Sequence, residues 1–196
     1  MKKTTVTRLA LLTGAISALA LAACKQPAPP RTELVLGTVC TINLFEEGTD
    51  ERYSRLVERL REIDRHMSAK SDDSTIARIN AAAGSRAVPA DPETLTVLSA
   101  ALAFAEKSGG LFDPSIGPLV KLWDIGGDSP AVPEPHAIDD ARALIDWKKV
   151  RVDETAGTVF LEQAGMRLDL GAIAKGWAAD ELARIKQVTK QLNKYI

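Results

Sequence analysis

The sequence has few cysteines, histidines and aromatic residues, and it has no excess of either charge. Its 196 residues include two cysteines, two histidines and 5% aromatic residues, with 25 Lys+Arg against 26 Asp+Glu. Because there is no basic excess to neutralise phosphates, no nucleic-acid partner is expected. The hydrophobic content of 45% is ordinary for a globular chain and is enough for one domain with a buried core.

The first residues have the pattern of an export signal rather than of a folded domain. A positively charged segment precedes a short apolar run over residues 9–21, which is too short for a comfortable transmembrane helix. The run leads into the letters LAAC, which end at Cys24 and resemble the bacterial lipobox. We therefore predict a signal peptide over residues 1–23 and a lipid anchor at Cys24, with a plain secretory signal as the alternative.

A lipid anchor would hold the protein on a membrane surface without spanning the membrane. The expected location is the cell envelope, with the chain facing the periplasm or the cell exterior. We expect residues 24–32 to form a proline-rich tether after Cys24. Cys40 is then left without a thiol partner, so no internal disulfide is expected, and we interpret it as a small core residue.

Beyond the tether, the sequence predicts alternating helices and short strands. Residues 33–45 are rich in β-branched residues and predict a long strand or a bent hairpin. Three helices are predicted from their capping residues, which are Thr49 or Asp50, Ser74, and Asp91 followed by proline. A hairpin is predicted where two strand-like segments flank Ala156-Gly157.

The stretch from Met166 to Asp180 predicts a short strand, a turn of small residues and the start of a helix. Asp169 is placed at the strand end, and Lys175 is placed within the turn over residues 171–176. The two glycines of this turn have P-loop spacing, but the following Lys and Ser/Thr are missing, and the dinucleotide-binding pattern fails too. The turn is either a phosphate site with free N–H groups or a turn whose glycines only permit close packing.

Residues 111–123 are apolar, but two prolines and a glycine prevent a regular helix over the whole stretch. We expect a buried, shaped loop that leads into a short helix ending at Trp123. Phe112 and Trp123 offer flat apolar surface, and Asp113 offers an acceptor beside it. The loop is either a wall that binds an aromatic ring or a hydrophobic plug under a helix.

His66 is the histidine that we considered as a metal ligand. No second His, Cys or acid lies at metal-ligand spacing from it in the sequence. A structural or exposed role is therefore expected for this side chain.

Several motifs together resemble the ApbE family, the FAD:protein FMN transferases. The resemblance covers nearly all of the chain after the tether, but only the N-terminal part of the family domain. The two longest matching segments are GGLFDPSIGPLVKLWDIG and LDLGAIAKGWAAD; the shorter ones are LGTVCTI and DRHMSAKSDDSTIARIN, besides the export segment. The resemblance implies an α+β fold, a mixed sheet with packed helices, over residues 33–185, while residues 186–196 look unlike the family.

The resemblance also implies an activity. Family members bind FAD in a cleft and use a divalent metal, usually Mg²⁺, to split its pyrophosphate. FMN passes to a threonine of a target protein and AMP leaves; some members instead hydrolyse FAD to FMN and AMP. The implied partners are FAD, an extracytoplasmic redox protein with an acceptor threonine, and the membrane through the lipid anchor.

Matching positions give the implied site residues. Leu36 stands where many members carry methionine, and Lys70 stands where an aromatic residue is often found. Ala172 matches a metal ligand that acts through its backbone carbonyl. The full flavin-contact set is Leu36, Lys70, Leu111, Phe112, Asp113, Asp169 and Lys175.

The family's side-chain metal ligands, an Asp and a Thr, come from a later part of its domain. Since one carbonyl and water would hold a hard cation weakly, we expect a truncated chain with weak or no activity. The alternatives are a flavin-binding lipoprotein without chemistry, an FAD pyrophosphatase, and a substrate-binding lipoprotein unrelated to flavin.

Overall fold

The structure is a computed structural model that describes residues 27–192 except 126 and 128, and whose side chains are described except those of Glu46 and residues 186–192. The predicted signal peptide and Cys24 lie outside the described residues. The elements in chain order are β1 (Arg31–Val35), β2 (Thr38–Ile42), α1 (Asp50–Met67), α2 (Thr75–Ala81), β3 (Val88–Pro89), α3 (Pro92–Lys107), α4 (Gly117–Trp123), α5 (Pro135–Arg142), β4 (Val150–Asp153), β5 (Thr158–Leu161) and α6 (Gly171–Leu192).

The first two strands form a hairpin, as the alternative of a bent hairpin over residues 33–45 predicts. Its two turn residues, Leu36 and Gly37, both have positive φ angles, of 56° and 66°. A two-residue turn with two positive φ angles matches the twist of paired strands. Glycine adopts this conformation freely, whereas Leu36 holds it at a steric cost. Cys40 is half-buried, with its Sγ 3.7 Å from the carbonyl oxygen of Val35.

A second, antiparallel sheet has the strand order β3-β5-β4. In its register Val88 pairs with Val159, and Val152 pairs with the same residue from the other side. The hairpin around Ala156-Gly157 was predicted. Strand β3 was not, because two residues that include a proline are too short to show a period of two.

Three helices begin at the predicted caps. Thr49 Oγ1 accepts a hydrogen bond from Arg52 N at 3.2 Å, and Ser74 Oγ accepts from Ala77 N at 2.9 Å. Asp91 Oδ1 accepts from Thr94 N at 2.8 Å. These bonds satisfy amide groups that have no partner within the helix itself.

Within the described residues the chain divides into two compact units, residues 27–32 with 41–54 and residues 33–40 with 55–192. In the described part of the first unit, Arg31 Nη1 donates to Ser54 Oγ at 3.0 Å, and Tyr53 Oη accepts from Leu44 N. The second unit holds every predicted flavin and metal residue. The large apolar side chains that are almost fully buried in it include Ile63, Ile76, Ile79, Leu98, Leu161, Met166, Leu168 and Leu170.

This arrangement of helices and small antiparallel sheets confirms the α+β class. Among the described residues, no helix combines the length and the apolar character needed to cross a membrane.

Candidate functional site

The start of α6 differs from the strand and turn that the sequence predicts. Residues 166–170 are extended, but only Arg167 makes a bridge, in parallel with Ile116. The predicted turn over residues 171–176 is already helical, so Lys175 lies inside α6. The turn prediction was wrong because glycine's low helix propensity was outweighed by the capping of this helix start.

Asp169 provides that capping. Its Oδ1 accepts a hydrogen bond from Gly171 N at 2.7 Å. Ile173 N and Ala174 N both donate to Leu170 O, at 3.0 and 2.8 Å. Within the described residues, Ala172 N is therefore the first-turn amide left without an acceptor, and the helix start offers one free N–H group rather than several.

Two exposed groups flank this helix start. Ala172 is exposed, and as the second residue of the helix its carbonyl points along the axis toward the amide of Gly176, four residues on, with one lone pair left over. Lys175 is exposed one turn later and makes no hydrogen bond or ion pair within the part of the chain that the structure describes. Its ammonium is therefore available to an anion at this end of α6.

The loop before α4 comes close to the same helix start. Asp169 N donates to Pro114 O at 2.9 Å, and Gly117 N donates to Arg167 O at 3.1 Å. A Cβ on Gly117 would lie 2.6 Å from Arg167 O, so this close approach requires glycine. The structure thus places Asp113, which precedes Pro114, near Asp169.

The carboxylate of Asp113 accepts hydrogen bonds from its own loop and from Trp147. Its Oδ1 accepts from Ser115 N at 2.8 Å and from Ser115 Oγ at 2.6 Å, and its Oδ2 accepts from Trp147 N at 3.2 Å. Ser115 is fully buried, and its Oγ accepts from Asp146 N. These contacts give Asp113 the role of shaping the loop, and contact with a flavin stays a prediction.

The tip of this apolar loop is exposed, whereas Pro114 and Pro118 further along it are buried. Leu111 is 95% exposed, which corrects the expectation of a buried loop at this residue. The reason is that Gly109 and Gly110, both with positive φ, turn the chain outward after α3. Phe112 packs edge-to-face on Phe104, with ring centroids 6.4 Å apart. The loop therefore presents an apolar edge to solvent at its tip, and the binding of an aromatic ring there stays a prediction.

The remaining predicted residues lie on other elements. Lys70 Nζ donates to Ile125 O at 3.2 Å, just past the end of α4. Leu36 lies at the tip of the β1–β2 hairpin. Asp113, Asp169 and Ala172 are the predicted residues that main-chain bonds bring to one place, and the ligand contacts of the whole set stay a prediction.

Sequence reasoning missed a polar network that joins three helices. Arg59 of α1 forms an ion pair with Glu93 of α3, and its Nη2 lies 3.4 Å from Glu181 of α6. Trp177 Nε1 donates to Glu93 Oε1 at 2.6 Å. Because these four residues are spread over more than a hundred positions, no spacing in the sequence pointed to them.

His66 lies beside this network and is half-buried, as a structural role requires. Its Nδ1 is 3.3 Å from Asp91 Oδ1 and 3.7 Å from Glu93 Oε2. Spacing in the sequence did not point to Asp91 and Glu93, because both carboxylates come from the start of another helix. The three could hold a metal ion by distance alone, but Glu93 already pairs with Arg59.

Burial acts to raise the pKa of Asp91, but hydrogen bonds outweigh it. The carboxylate accepts from Thr94 N, Thr94 Oγ1 and Thr75 Oγ1, and His66 is nearby. The net effect holds the pKa of Asp91 below its ordinary value.

The site is therefore the start of a long helix, capped by a carboxylate, beside a loop with an exposed apolar edge. These features define an α+β protein whose candidate site combines a free helix-start amide, an exposed lysine and an exposed apolar edge. A sequence model of the ApbE family matches residues 36–195. The chain belongs to the ApbE family.

Individual relatives agree with the family match. The chain is 43% identical over 164 residues to an FAD:protein FMN transferase of Treponema pallidum, covering 79% of this chain and 45% of the relative. It is 35% identical to an FAD:protein FMN transferase of Klebsiella pneumoniae, and the match covers 81% of this chain and 51% of the relative. The chain spans about half the length of the curated relatives it matches.

Solved structures are similar over the same extent. The ApbE protein of Thermotoga maritima superimposes with a TM-score of 0.73 at 30% identity, over 80% of this chain and 52% of that one. A variant of the flavin transferase ApbE from Vibrio cholerae gives a TM-score of 0.71 at 25% identity, over 82% and 56%.

Proposed function

We propose that the protein binds FAD and transfers its FMN portion to a threonine of another protein. The observation that carries the proposal is the family match over residues 36–195, which includes the capped start of α6 and the loop before α4. In this transfer the threonine oxygen bonds to the FMN phosphorus, and the bond from that phosphorus to the bridging oxygen breaks. AMP leaves with the bridging oxygen, and the hydroxyl proton passes to solvent or a base.

Each part of the site has a proposed task. The flavin ring would lie against the exposed edge at Leu111 and Phe112. The pyrophosphate would lie near α6, where Lys175 and the free N–H of Ala172 supply positive charge and a donor. Asp169 holds the helix start in place. The attacking hydroxyl comes from the partner protein, so this chain needs no nucleophile of its own.

A divalent metal, Mg²⁺ in the proposal, would supply charge neutralisation on the pyrophosphate. Among the described residues, the carbonyl of Ala172 is the group proposed to hold it. That carbonyl has one lone pair beyond its helical bond, whereas Mg²⁺ takes about six oxygen ligands. The described residues therefore fit only a part of the metal's shell, and weak transfer by this chain alone is expected.

The test is to mix the purified chain with FAD, Mg²⁺ and a redox domain that has an acceptor threonine. Flavin fluorescence of the denatured acceptor and its mass measure covalent FMN, and chromatography measures AMP. The control is the same acceptor with its threonine changed to alanine. Covalent flavin on the threonine, even at low yield, supports the proposal.

The same assay separates the alternatives. Release of both FMN and AMP without a labelled acceptor indicates an FAD pyrophosphatase, in which water takes the place of threonine. Bound FAD that stays intact indicates a flavin-binding lipoprotein without chemistry. A chain that binds no FAD contradicts the proposal and favours an unrelated substrate-binding lipoprotein.

We also propose that Cys24 is lipidated and anchors the chain at the cell envelope, near an extracytoplasmic redox partner. The LAAC sequence ending at Cys24 supports this. Expression with labelled fatty acid is expected to label the wild type and not Cys24→Ala. Equal labelling of both would contradict the proposal.

A further inference from the structure

The side chain of Asn80 binds the backbone of a residue 88 positions away. Its Oδ1 accepts from Leu168 N at 2.6 Å, and its Nδ2 donates to Leu168 O at 3.0 Å. Asn80 is 6% exposed and Leu168 is fully buried. One side-chain amide therefore satisfies both backbone polar groups of a buried residue, which water does not reach.

This pair of bonds completes a pattern that is normally made by three strands. On one side of the extended segment, Arg167 O and Asp169 N bond to the chain at Gly117 and Pro114. Leu168 lies between them, so its own N–H and C=O point to the opposite side. No strand is hydrogen-bonded there among the described residues, and the amide of Asn80 takes the place of one.

The bonds determine where the candidate site begins. Asp169 directly follows Leu168, and its carboxylate caps the start of α6 through Gly171 N. A shift of Leu168 would therefore move both the cap and the carbonyl of Ala172. Asn80 touches none of the proposed ligand groups itself, so it can act only through the backbone that it holds.

We propose that Asn80 is a positioning residue for the FAD site, acting as a one-residue substitute for a neighbouring strand. This inference rests on the proposed function. Asparagine fits the position because it offers a donor and an acceptor side by side. Alanine offers neither, and aspartate offers an acceptor but turns a second, negative oxygen toward Leu168 O.

The first test compares Asn80→Ala with Val159→Ala in the full chain. Val159 is 1% exposed in the central strand β5, so its truncation also removes buried contacts, but it makes no bond to residues 166–170. Two quantities are measured: FAD affinity by flavin fluorescence with Mg²⁺ present, and amide hydrogen exchange at Leu168 and Asp169 without ligand.

We expect Asn80→Ala to weaken FAD binding by about tenfold or more, since both hydrogen bonds to the backbone of the buried Leu168 are lost. The amides of Leu168 and Asp169 are expected to exchange faster than in Val159→Ala at matched global stability. Val159→Ala is expected to change FAD affinity by less than about twofold, since it acts on global stability only.

The second test uses Asn80→Asp, whose behaviour depends on pH. A protonated aspartic acid again offers a donor and an acceptor, and burial raises the pKa of such a carboxyl group. FAD affinity of Asn80→Asp relative to wild type at the same pH is expected to recover as the pH falls from 7 to about 5. Val159→Ala has no such recovery, because it adds no titrating group.

If the wild type binds FAD and Asn80→Ala binds it with the same affinity, this inference is overturned while the proposed function stands. An equal loss of affinity in Asn80→Ala and Val159→Ala at equal stability, with no acid recovery of Asn80→Asp, would also overturn it, since general destabilisation then explains the loss. A wild-type chain that binds no FAD overturns the proposed function, and this inference with it.

Discussion

Individual side chains at the candidate site divide into those used by the fold and those left for a ligand. The carboxylate of Asp113 accepts hydrogen bonds from the backbone amides of Ser115 and Trp147. The carboxylate of Asp169 accepts one from the amide of Gly171. Lys175 has no such partner within the described residues. Of these three side chains, Lys175 is therefore the one best placed to bind a phosphate group.

Lys175→Ala is therefore expected to weaken FAD binding by about tenfold, because a charge-assisted contact is worth about 1.5–3 kcal/mol. The unfolding midpoint should not change, since the side chain is exposed. Fluorescence titration at low and high salt measures the effect, which should shrink as salt screens the charge.

The matched control is Lys121→Ala, which removes an exposed lysine from α4. It carries the same change in net charge, so a comparable loss in both variants would mean that only overall charge matters. That result would contradict the role of Lys175.

The capping carboxylate Asp91 gives a prediction about pH. Its pKa is held below the ordinary value in the folded chain, so it stabilises the fold above its unfolded pKa, and this stability is lost as pH falls through the folded pKa. Asp91→Ala is expected to cost about 1 kcal/mol or more at pH 7, through the lost cap.

Urea unfolding of wild type and Asp91→Ala from pH 7 to about pH 3 measures this difference. The difference in free energy of unfolding between wild type and Asp91→Ala is expected to stay constant down to about pH 5 and to become smaller below it. A gap that widens in acid would show that the sign of the pKa shift is wrong.

At the scale of elements, two glycines near the site have opposite surroundings. Gly117 begins α4 against the backbone of Arg167, and a Cβ there would lie 2.6 Å from its carbonyl oxygen. Gly176 lies inside α6, where a Cβ would meet nothing within 4 Å. The same substitution should therefore have opposite effects at the two positions.

Gly117→Ala is expected to destabilise the fold by about 1–3 kcal/mol, because the close packing of α4 on residues 166–170 must open. Gly176→Ala is expected to stabilise it by about 0.5–1 kcal/mol through helix propensity. Urea unfolding measures both. Destabilisation by Gly176→Ala would contradict the helical conformation at this residue.

FAD titration of Gly176→Ala adds a second measurement. If stability rises while affinity falls, the ligand approaches the backbone at Gly176, as the glycine in this stretch of sequence suggests. Unchanged affinity would place the ligand elsewhere along the helix start.

At the scale of the molecule, the polar network of Arg59 links α1, α3 and α6. The side chains of Arg59, Glu93 and Glu181 are 20%, 15% and 12% exposed in their ion pairs. Removing the Arg59 guanidinium leaves the partly buried carboxylates of Glu93 and Glu181 without this positive charge. This network holds the long helix whose start forms the candidate site.

Arg59→Ala is expected to lower the free energy of unfolding by about 1–3 kcal/mol, since two partly buried carboxylates lose this cation. The loss is limited because Trp177 still donates to Glu93 and Arg184 still pairs with Glu181. The control is Arg65→Ala, whose pair with Glu58 is 60% and 62% exposed and should cost less than about 1 kcal/mol. Urea unfolding of both variants measures this. Equal, small losses would show that the network contributes no more than a surface pair.

Local patterns were enough to predict much of the fold. Thr49, Ser74 and Asp91 were identified as caps because capping depends on residues three positions apart. The buried face of α1 followed from its helical period, which Leu56, Leu60 and Ile63 confirm. Strand β3 and the full helical course of residues 171–176 were missed, because a short segment takes its conformation from its neighbours.

The sequence by itself determined the capped helices, the hairpin around Ala156-Gly157 and the motifs that resemble a known family, since each depends on residues close along the chain. Only the tertiary structure decided that Asn80 holds Leu168, that Arg59 joins Glu93 and Glu181, and that Asp113 serves its own loop. These contacts depend on which side chains folding brings together across long separations. Hydrogen-bond geometry then selects the partners, and no local pattern encodes that choice.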